Sequence, residues 1–312
     1  MMSELKPVFL SLLTVMFSMT AQAEQAQTLP RSDSSNIHYY LSIENEKPSD
    51  TLLVLIQGSD CNSVTKVEMI KEGLPTVAPD ADLLTVEKYG ITQTLSYDED
   101  PERTDCPESF VQKDSISQRV DDHLKVISHV RSQHRYKNVY AVGGSEGALV
   151  ANFLAQYPET VSKVVAFNGG GARFIDDLEH AIKSEITDKK TYTEVMQEVQ
   201  EFTQYVLNSE PVEFNVSGHG FAWWREILEL NQTDVLRKAQ VPVLLVQAEK
   251  DSSVSVKSAL EQFNLLKKEG KSNIEYLSLA GLDHAFNDKN GQSQVPTVIK
   301  DVQQWLESDK PK

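Results

Sequence analysis

Short apolar stretches alternate with amphipathic segments along most of the chain. Helical periodicity separates them, as where Ile116, Val120 and Leu124 recur at one-turn spacing. This order predicts an α/β fold with a mostly parallel central sheet flanked by helices. Residues 37–47 predict an earlier strand, antiparallel to the rest. Six stretches have strand length and little polar alternation, as in strands covered on both faces, namely 51–56, 83–86, 138–142, 163–167, 241–247 and 273–279.

The alternation stops between residues 172 and 240. This interval contains three amphipathic stretches and no apolar run of strand length. Long insertions at strand ends are where such folds place lids and substrate-binding surfaces. We therefore expect a helical cap at 172–240, inserted into an α/β core formed by 24–171 and 241–312.

The first 23 residues have the pattern of a secretory signal. Lys6 precedes an apolar stretch, and Ala21 and Ala23 form the small-x-small pattern of a signal peptidase site. We predict a signal peptide cut after Ala23 and a periplasmic or secreted protein, with an uncleaved anchor as the alternative. The apolar stretch is shorter than the ~20 residues of a membrane span. No other candidate span is present, so stable membrane insertion of the mature chain is not expected.

The net charge excludes some classes of binding partner, and the cysteine content bears on the redox state of the protein's compartment. Lys and Arg number 30 against 46 Asp and Glu, a net charge of −16, which argues against nucleic acid or an anionic membrane surface as a partner. The two cysteines are Cys61 and Cys106. Because an exported chain meets oxidising conditions, they predict one disulfide, the alternative being two unpaired thiols.

A Gly-x-Ser-x-Gly motif centres on Ser145. It follows the apolar stretch 138–142 and precedes a helical segment. This strand–turn–helix setting is typical of a nucleophile elbow, in which the serine is held in a strained turn with its hydroxyl above the sheet. The alternative is an ordinary tight turn. In the elbow reading Ser145 is the catalytic nucleophile.

A serine nucleophile needs a base, and the base needs an orienting carboxylate. Asp251 follows the fifth apolar stretch and His284 the sixth, which gives the order serine, acid, histidine of this architecture. Carboxyl ends of parallel strands are also where α/β folds place functional residues. Glu249 and Asp283 are alternative acids, but Glu249 comes early and Asp283 adjoins the base.

The oxyanion hole needs two donors. One is the backbone N–H of Glu146, directly after the nucleophile. The other is expected from the loop after the first apolar stretch, with the N–H of Ser59 preferred and that of Asp60 as the alternative.

Three residues are candidate substrate contacts, namely Asp60, His219 and Trp223. His219 would precede the acid in the chain if it were the base, so a substrate contact is the better prediction. Trp223 and Trp224 either wall an apolar acyl pocket or pack the cap onto the core. Adjacent side chains cannot share one face of a helix, so at most one of the two is expected in the pocket.

Four segments together resemble the α/β-hydrolase superfamily. They are QGSD at 57–60, GGSEGA at 143–148, AEKDSSV at 248–254 and LDHAF at 282–286. Within the superfamily they look most like the prolyl-oligopeptidase-like and dienelactone-hydrolase-like branches. Gln57 departs from the frequent His-Gly pair, and Ser145 from the cysteine nucleophile of dienelactone hydrolases.

The resemblance implies acyl transfer through a Ser-Asp-His triad, with neither metal nor organic cofactor. We expect an exported serine hydrolase whose substrate is a small-molecule acyl ester. A serine peptidase or amidase acting on a short peptide is the alternative within enzymes, and Glu146 would support it by pairing a substrate amine. A non-catalytic binding protein on the same fold is the third reading, although such proteins usually lack a triad member.

Overall fold

The computed structural model describes residues 26–43, 49–100 and 103–308, so the predicted signal peptide lies outside the described residues. The strands are β1 Gln27–Pro30, β2 Asn36–Ser42, β3 Thr51–Ile56, β4 Asp82–Val86, β5 Asn138–Gly144, β6 Lys163–Phe167, β7 Val243–Ala248 and β8 Ile274–Leu279. They form one sheet in the order β1-β2-β4-β3-β5-β6-β7-β8. The pairings from β3 to β8 are parallel, and those of β2 with β1 and β4 are antiparallel. The prediction of a mostly parallel α/β-hydrolase sheet is confirmed.

All six predicted stretches lie in strands, and their bounds differ from the observed ones by at most two residues. The early strand predicted within 37–47 is confirmed as β2, which ends at Ser42 and is antiparallel to β4 with Tyr39 opposite Val86. Residues 44–47 of that prediction lie outside the described residues. Sequence reasoning missed β1, a four-residue edge strand. Most of its residues are exposed, so it carries no run of apolar residues.

Helices cover both faces of the sheet. The α-helices are α1 Glu108–Lys113, α2 Ile116–Gln133, α3 Glu146–Leu154, α4 Phe174–Glu185, α5 Lys189–Asn208, α6 Phe221–Glu229, α7 Gln232–Arg237, α8 Val256–Lys268 and α9 Val295–Glu307. Along β3, Leu52 and Val54 pack into the apolar cluster that includes α2 and α3, while Leu53 and Leu55 pack into the cluster that includes α9. Because both faces of β3 are buried, its sequence shows no polar alternation.

Four helices, α4 to α7, lie between β6 and β7, where a helical insertion is predicted; we call them the inserted helices. Aromatic contacts join them. The ring of Trp224 on α6 lies 5.9 Å from that of Phe174 on α4 and 4.9 Å from that of Phe202 on α5, centroid to centroid. These edge-on contacts bury the tryptophan and hold three helices together.

The parallel strands bring the predicted site to one edge of the sheet. β3 lies directly beside β5, and their ladder ends with Ile56 opposite Gly143. The loop after β3 therefore leaves the sheet next to the turn that carries Ser145. The loops after β6, β7 and β8 leave at the same edge. Within the described ranges, no helix is both long and apolar enough to cross a membrane.

Candidate active site

The candidate nucleophile lies in the sharp turn between β5 and α3. Ser145 has φ 54° and ψ −124°, a backbone conformation that non-glycine residues rarely adopt. Glycines let the turn close, because a Cβ at Gly143 would lie 2.1 Å from the carbonyl oxygen of Gly147, and one at Gly147 would lie 2.3 Å from that of Ile56. The Ser145 N–H donates to the carbonyl oxygen of Phe167 at 2.8 Å. This is the geometry expected of a nucleophile elbow.

The candidate base and acid meet beyond β7 and β8. His284 Nδ1 lies 2.7 Å from Asp251 Oδ2, and an imidazole that donates through Nδ1 keeps Nε2 as a proton acceptor. The N–H groups of Ser253 and Val254 donate to Asp251 Oδ1 at 2.8 and 3.0 Å. Burial acts to raise the pKa of Asp251, but the hydrogen bond and charge of His284 and these backbone donors outweigh it and lower the pKa. Asp251 is therefore ionised at neutral pH.

The two alternative acids are engaged elsewhere. Glu249 is exposed and accepts a hydrogen bond from the hydroxyl of Ser278 at 2.7 Å. Asp283 accepts the N–H groups of Ala285 and Asn287 at 3.0 and 2.8 Å, so it stabilises the turn that carries His284. Of the three carboxylates, Asp251 is the one that contacts the imidazole.

Asn168, directly after β6, ties the loops of the site together. Its Nδ2 donates to the carbonyl oxygen of His284, and its Oδ1 accepts the N–H of Ala248, both at 2.8 Å. The preceding residue, Phe167, holds the N–H of Ser145. Asn168 is buried and has φ 47°, which asparagine tolerates better than most residues. Sequence reasoning missed it; asparagine before glycines at a strand end signals a turn but not these partners.

The loop after β3 lies against the nucleophile turn. A Cβ at Gly58 would be 3.6 Å from the Cβ of Ser145. Ser59 and Glu146, the two candidate sources of oxyanion donors, line the same cavity as Ser145. Neighbouring segments therefore bring both residues to one place, as the sequence predicts.

Hydrogen bonds within this loop, and one from Lys88, fix its shape. Gln57 Nε2 donates to Asp60 Oδ1 and to the carbonyl oxygen of Asn62, both at 2.8 Å. The N–H of Asn62 donates to the same Asp60 oxygen at 2.9 Å, and Lys88 Nζ donates to the Asp60 carbonyl. The carboxylate of Asp60, a predicted substrate contact, is thus used within its own loop. Asp60 does not line the cavity beside Ser145.

The predicted disulfide is present. Cys61 and Cys106 are bonded, with their Cα atoms 6.1 Å apart. Cys61 follows Asp60 directly, so the bridge ties the end of the β3 loop to a segment 45 residues later in the chain.

A cavity of about 350 Å³ opens beside Ser145. Its walls are mostly apolar and come largely from the inserted helices. They include Leu149 on α3, Phe174, Leu178 and Ala181 on α4, and Trp223, Trp224 and Ile227 on α6. This volume is in the range of pockets that enclose small organic ligands.

Both tryptophans of α6 line this cavity, so the expectation that at most one reaches it is wrong. The rings of Trp223 and Trp224 stand edge to face, with centroids 5.0 Å apart and planes at 86°. The expectation treated each residue as a direction on a helical wheel. Indole rings are large enough to converge from adjacent positions, and here they also pack the inserted helices together.

His219 lines the same cavity, where a substrate contact is predicted. Its ring stacks on that of Trp223 at 3.9 Å and lies 6.0 Å from that of Phe110. Burial lowers the pKa of His219 to about 4, although the charge of Glu146 opposes this, so the ring is neutral at neutral pH. Among the residues that the structure describes, no group of three or more His, Cys, Asp or Glu could hold a metal ion.

The side chain of Glu146 is buried and engaged with protein groups. Trp223 Nε1 donates to Glu146 Oε2 at 2.6 Å, and Arg119 Nη1 donates to Oε1. Burial acts to raise the pKa of Glu146, and the charges of Arg119 and Lys88 reverse this and lower it. The carboxylate is therefore already paired, and the idea that it binds a substrate amine finds no support in this geometry. No sequence motif indicates a role for Arg119, which lies in the first turn of the amphipathic helix α2.

Helix α4 also contacts the loop that carries Asp251. Asp177 Oδ1 accepts the N–H of Ser255 at 2.8 Å, and His180 Nε2 lies 2.9 Å from the carbonyl oxygen of Asp251. Burial raises the pKa of Asp177 to about 6, against the backbone hydrogen bonds that it accepts. The sequence showed both residues only as polar positions of a helix.

One protein-family model matches most of the chain. The model of the prolyl oligopeptidase family matches residues 108–309, a region that contains Ser145, Asp251 and His284. A search among curated proteins finds no match.

Several solved structures share the fold. Est1E from Butyrivibrio proteoclasticus is 14% identical, with a TM-score of 0.59 over 90% of this chain and 97% of that one. An esterase from Pyrococcus furiosus, Pf2001, is 14% identical, with a TM-score of 0.59 over 91% and 90%. An E-2-(acetamidomethylene)succinate hydrolase is 14% identical, with a TM-score of 0.55 over 91% and 100%. At these identities the likeness extends to the fold alone.

Proposed function

The chain belongs to the prolyl oligopeptidase family, in the α/β-hydrolase superfamily, and from this premise we propose that it is an exported serine hydrolase that cleaves carboxylic esters through Ser145, Asp251 and His284. One observation carries the proposal. A serine held at φ 54° in a nucleophile elbow shares the sheet edge with a histidine whose Nδ1 lies 2.7 Å from a buried carboxylate. This arrangement supports acyl transfer by a Ser-His-Asp triad.

In the proposed mechanism His284 Nε2 takes the proton of Ser145 as Oγ attacks the ester carbonyl. Asp251 keeps the imidazole in the required tautomer and stabilises its protonated form. The N–H groups of Glu146 and Ser59 bind the oxyanion. Collapse of the tetrahedral intermediate breaks the bond to the leaving alkoxide, which takes the proton from His284. Water, deprotonated by His284, then attacks the acyl-enzyme, and the carboxylic acid leaves as Ser145 recovers its proton.

An ester is preferred over a peptide because of what surrounds the nucleophile. The cavity beside Ser145 is mostly apolar, which suits an uncharged acyl group. The carboxylate of Glu146, which a peptidase could use to hold a substrate amine, is already paired with Arg119 and Trp223. Peptidase or amidase activity is the second candidate, and the matching family model favours it.

We further propose that the inserted helices form a cap over the site, with 24–171 and 241–312 as the core. Both tryptophans of α6 and four residues of α4 line the cavity, which supports a role in substrate binding. Export to the periplasm or the medium rests on the signal pattern of residues 1–23 and agrees with the Cys61–Cys106 disulfide.

The test is hydrolysis of short p-nitrophenyl esters by the mature protein and by Ser145→Ala, with a fluorophosphonate probe applied to both. We expect the wild type to be labelled and to turn over, and the variant to do neither. Labelling without ester cleavage would shift the assignment to a peptidase or amidase, which aminoacyl amide substrates would reveal. A folded wild type that is not labelled would overturn the serine-hydrolase proposal and favour a binding protein.

A further inference from the structure

Arg119 joins the two segments that carry the candidate oxyanion donors. Its Nη2 donates to the carbonyl oxygen of Gln57 at 2.5 Å, two residues before Ser59. Its Nη1 donates to the carboxylate of Glu146, whose own N–H is the other candidate donor. The side chain of Arg119 is 3% exposed, so these bonds form away from solvent.

The strands themselves do not fix the spacing of these segments. The ladder between β3 and β5 ends at Ile56 and Gly143. Beyond it one chain continues into the β3 loop and the other into the nucleophile turn. A Cβ on Gly147 would lie 2.6 Å from the carbonyl oxygen of Gln57, so the two backbones are in close contact beside the guanidinium, which bonds the Gln57 carbonyl and the Glu146 side chain. A planar guanidinium with five donors in fixed geometry is suited to set such a distance.

We propose that Arg119 is a positioning residue that sets the separation of the two oxyanion donors, Ser59 N–H and Glu146 N–H. It touches no reacting atom and acts through the Gln57 carbonyl and the Glu146 carboxylate. This inference rests on the proposed function, since it assigns a role within the same hole.

The second carboxylate oxygen of Glu146 connects the Arg119 contacts to the cavity wall. Trp223 Nε1 holds the second carboxylate oxygen at 2.6 Å, and the indole ring lines the cavity. The orientation of the Glu146 side chain is thus fixed from two sides, by Arg119 and by a residue that faces the acyl group.

The experiment compares an oxygen ester with the thionoester of the same acyl and leaving groups. Sulfur is larger than oxygen and accepts hydrogen bonds poorly, so an enzyme that depends on its oxyanion hole prefers the oxygen ester. Both kcat and KM are measured for the wild type and for Arg119→Met, per active site titrated with the fluorophosphonate probe. Loss of one hole donor typically costs about 10²–10³-fold. We expect kcat of Arg119→Met on the oxygen ester to fall by about 10²-fold and KM to change little. The ratio of kcat on the oxygen ester to kcat on the thionoester, which we call the oxygen-to-sulfur ratio, should fall at least about tenfold.

Arg31→Met is the matched control. Arg31 forms another buried pair with a carboxylate of α2, Asp122, at 2.6 Å, and the side-chain exposures of the two are 8% and 6%. Removing it leaves the same kind of unpaired buried charge but touches neither donor segment. Its oxygen-to-sulfur ratio should equal that of the wild type.

Two further variants keep the test decisive if Arg119→Met folds poorly because Glu146 is left buried without its partner. Arg119→Lys retains one charge but cannot bond both acceptors in the same geometry, and Arg119→Met/Glu146→Gln removes both charges. A lowered ratio in either supports the proposal. The proposal would be overturned if the folded variants kept the wild-type ratio, or if the wild type cleaved both esters at the same rate. It would also be overturned if all three Arg119 variants failed to fold while Arg31→Met folded. A wild type that is neither labelled nor active would instead refute the proposed function.

Discussion

The loops that carry Asp251 and His284 are held mainly by hydrogen bonds from uncharged donors, whereas the segments that carry the candidate oxyanion donors are held by buried cationic side chains and a disulfide. We call residues 248–255 and 282–286 the acid–base side, and residues 57–62 and 144–147 the oxyanion side. On the acid–base side, backbone N–H groups and Asn168 provide most contacts. On the oxyanion side, Lys88 and Arg119 are buried beside Glu146.

This difference indicates how each side should respond to change. A hydrogen bond from an uncharged donor can be removed with a local effect, at a net cost of about 1 kcal/mol, or up to about 3 kcal/mol where the acceptor is charged. Removing one partner of a buried ion pair leaves the other charge unpaired and typically costs about 3–5 kcal/mol. Substitutions on the acid–base side should therefore affect catalysis more than folding, and those on the oxyanion side should affect both.

The largest effect is expected from Asp251→Asn. Its amide can still accept the N–H groups of Ser253 and Val254, but it no longer holds His284 in the tautomer that leaves Nε2 free. By analogy with the same change in a serine protease triad, kcat should fall by about 10⁴-fold. Steady-state hydrolysis of p-nitrophenyl esters measures this, and thermal unfolding should show a melting temperature within a few degrees of the wild type. A large drop in stability would break the comparison between the two sides.

The disulfide offers the next largest effect, on the oxyanion side. Cys61→Ser/Cys106→Ser opens a loop of 45 residues, and the chain-entropy model gives a loss of about 4 kcal/mol in the free energy of unfolding. Because Cys61 adjoins Asp60, we also expect kcat of the folded variant to fall several-fold. Urea unfolding and initial rates measure the two quantities. A variant that loses stability but keeps its oxygen-to-sulfur ratio would identify the bridge as purely structural.

Much of the acid–base side could be predicted because its signals are local. Ser145, Asp251 and His284 each follow a strand that the apolar pattern identifies, and their order along the chain fits one architecture. Arg119 and Asn168 could not be found this way. Arg119 contacts residues 27 and 62 positions away, and Asn168 contacts residues 80 and 116 positions away. Such contacts depend on how helices and strand ends pack, and no short motif encodes them.

Substitution of Asn168 should have a smaller effect, and it tests the uncharged contacts of the acid–base side directly. Asn168→Gly keeps the backbone free to adopt φ 47° but removes the bonds to His284 and Ala248. A misplacement of about 1 Å at a catalytic group can cost about 10²-fold, so kcat should fall by up to that amount, with KM within a few-fold. Asn168→Ala removes the same bonds and also strains the backbone at this φ. The difference in the free energy of unfolding between the alanine and glycine variants therefore measures the strain. Equal kcat in Asn168→Gly and wild type would show that the His284 loop holds itself.

Asp177 sharpens the comparison because it is a buried carboxylate on α4 that contacts the acid–base side by accepting the N–H of Ser255. Its pKa is raised to about 6 from an ordinary value near 3.8, mainly by burial. The folded protein therefore holds this proton more tightly than the unfolded chain. The contribution of the protonated carboxyl to stability is complete below about pH 4 and is lost as the pH rises through about 6.

Asp177→Asn removes that titration while its side-chain oxygen can still accept the N–H of Ser255. We expect the difference in unfolding free energy, variant minus wild type, to increase by about 1–3 kcal/mol between pH 4 and pH 7.5, because only the wild type must then bury an ionised carboxylate. Urea unfolding at several pH values measures it. Asp176→Asn removes a charge from the exposed side of the same helix and corrects for the general effect of charge on α4. If the difference does not change over this range, Asp177 is not desolvated, and the contact between the inserted helices and the Asp251 loop is looser than the hydrogen bond to Ser255 implies.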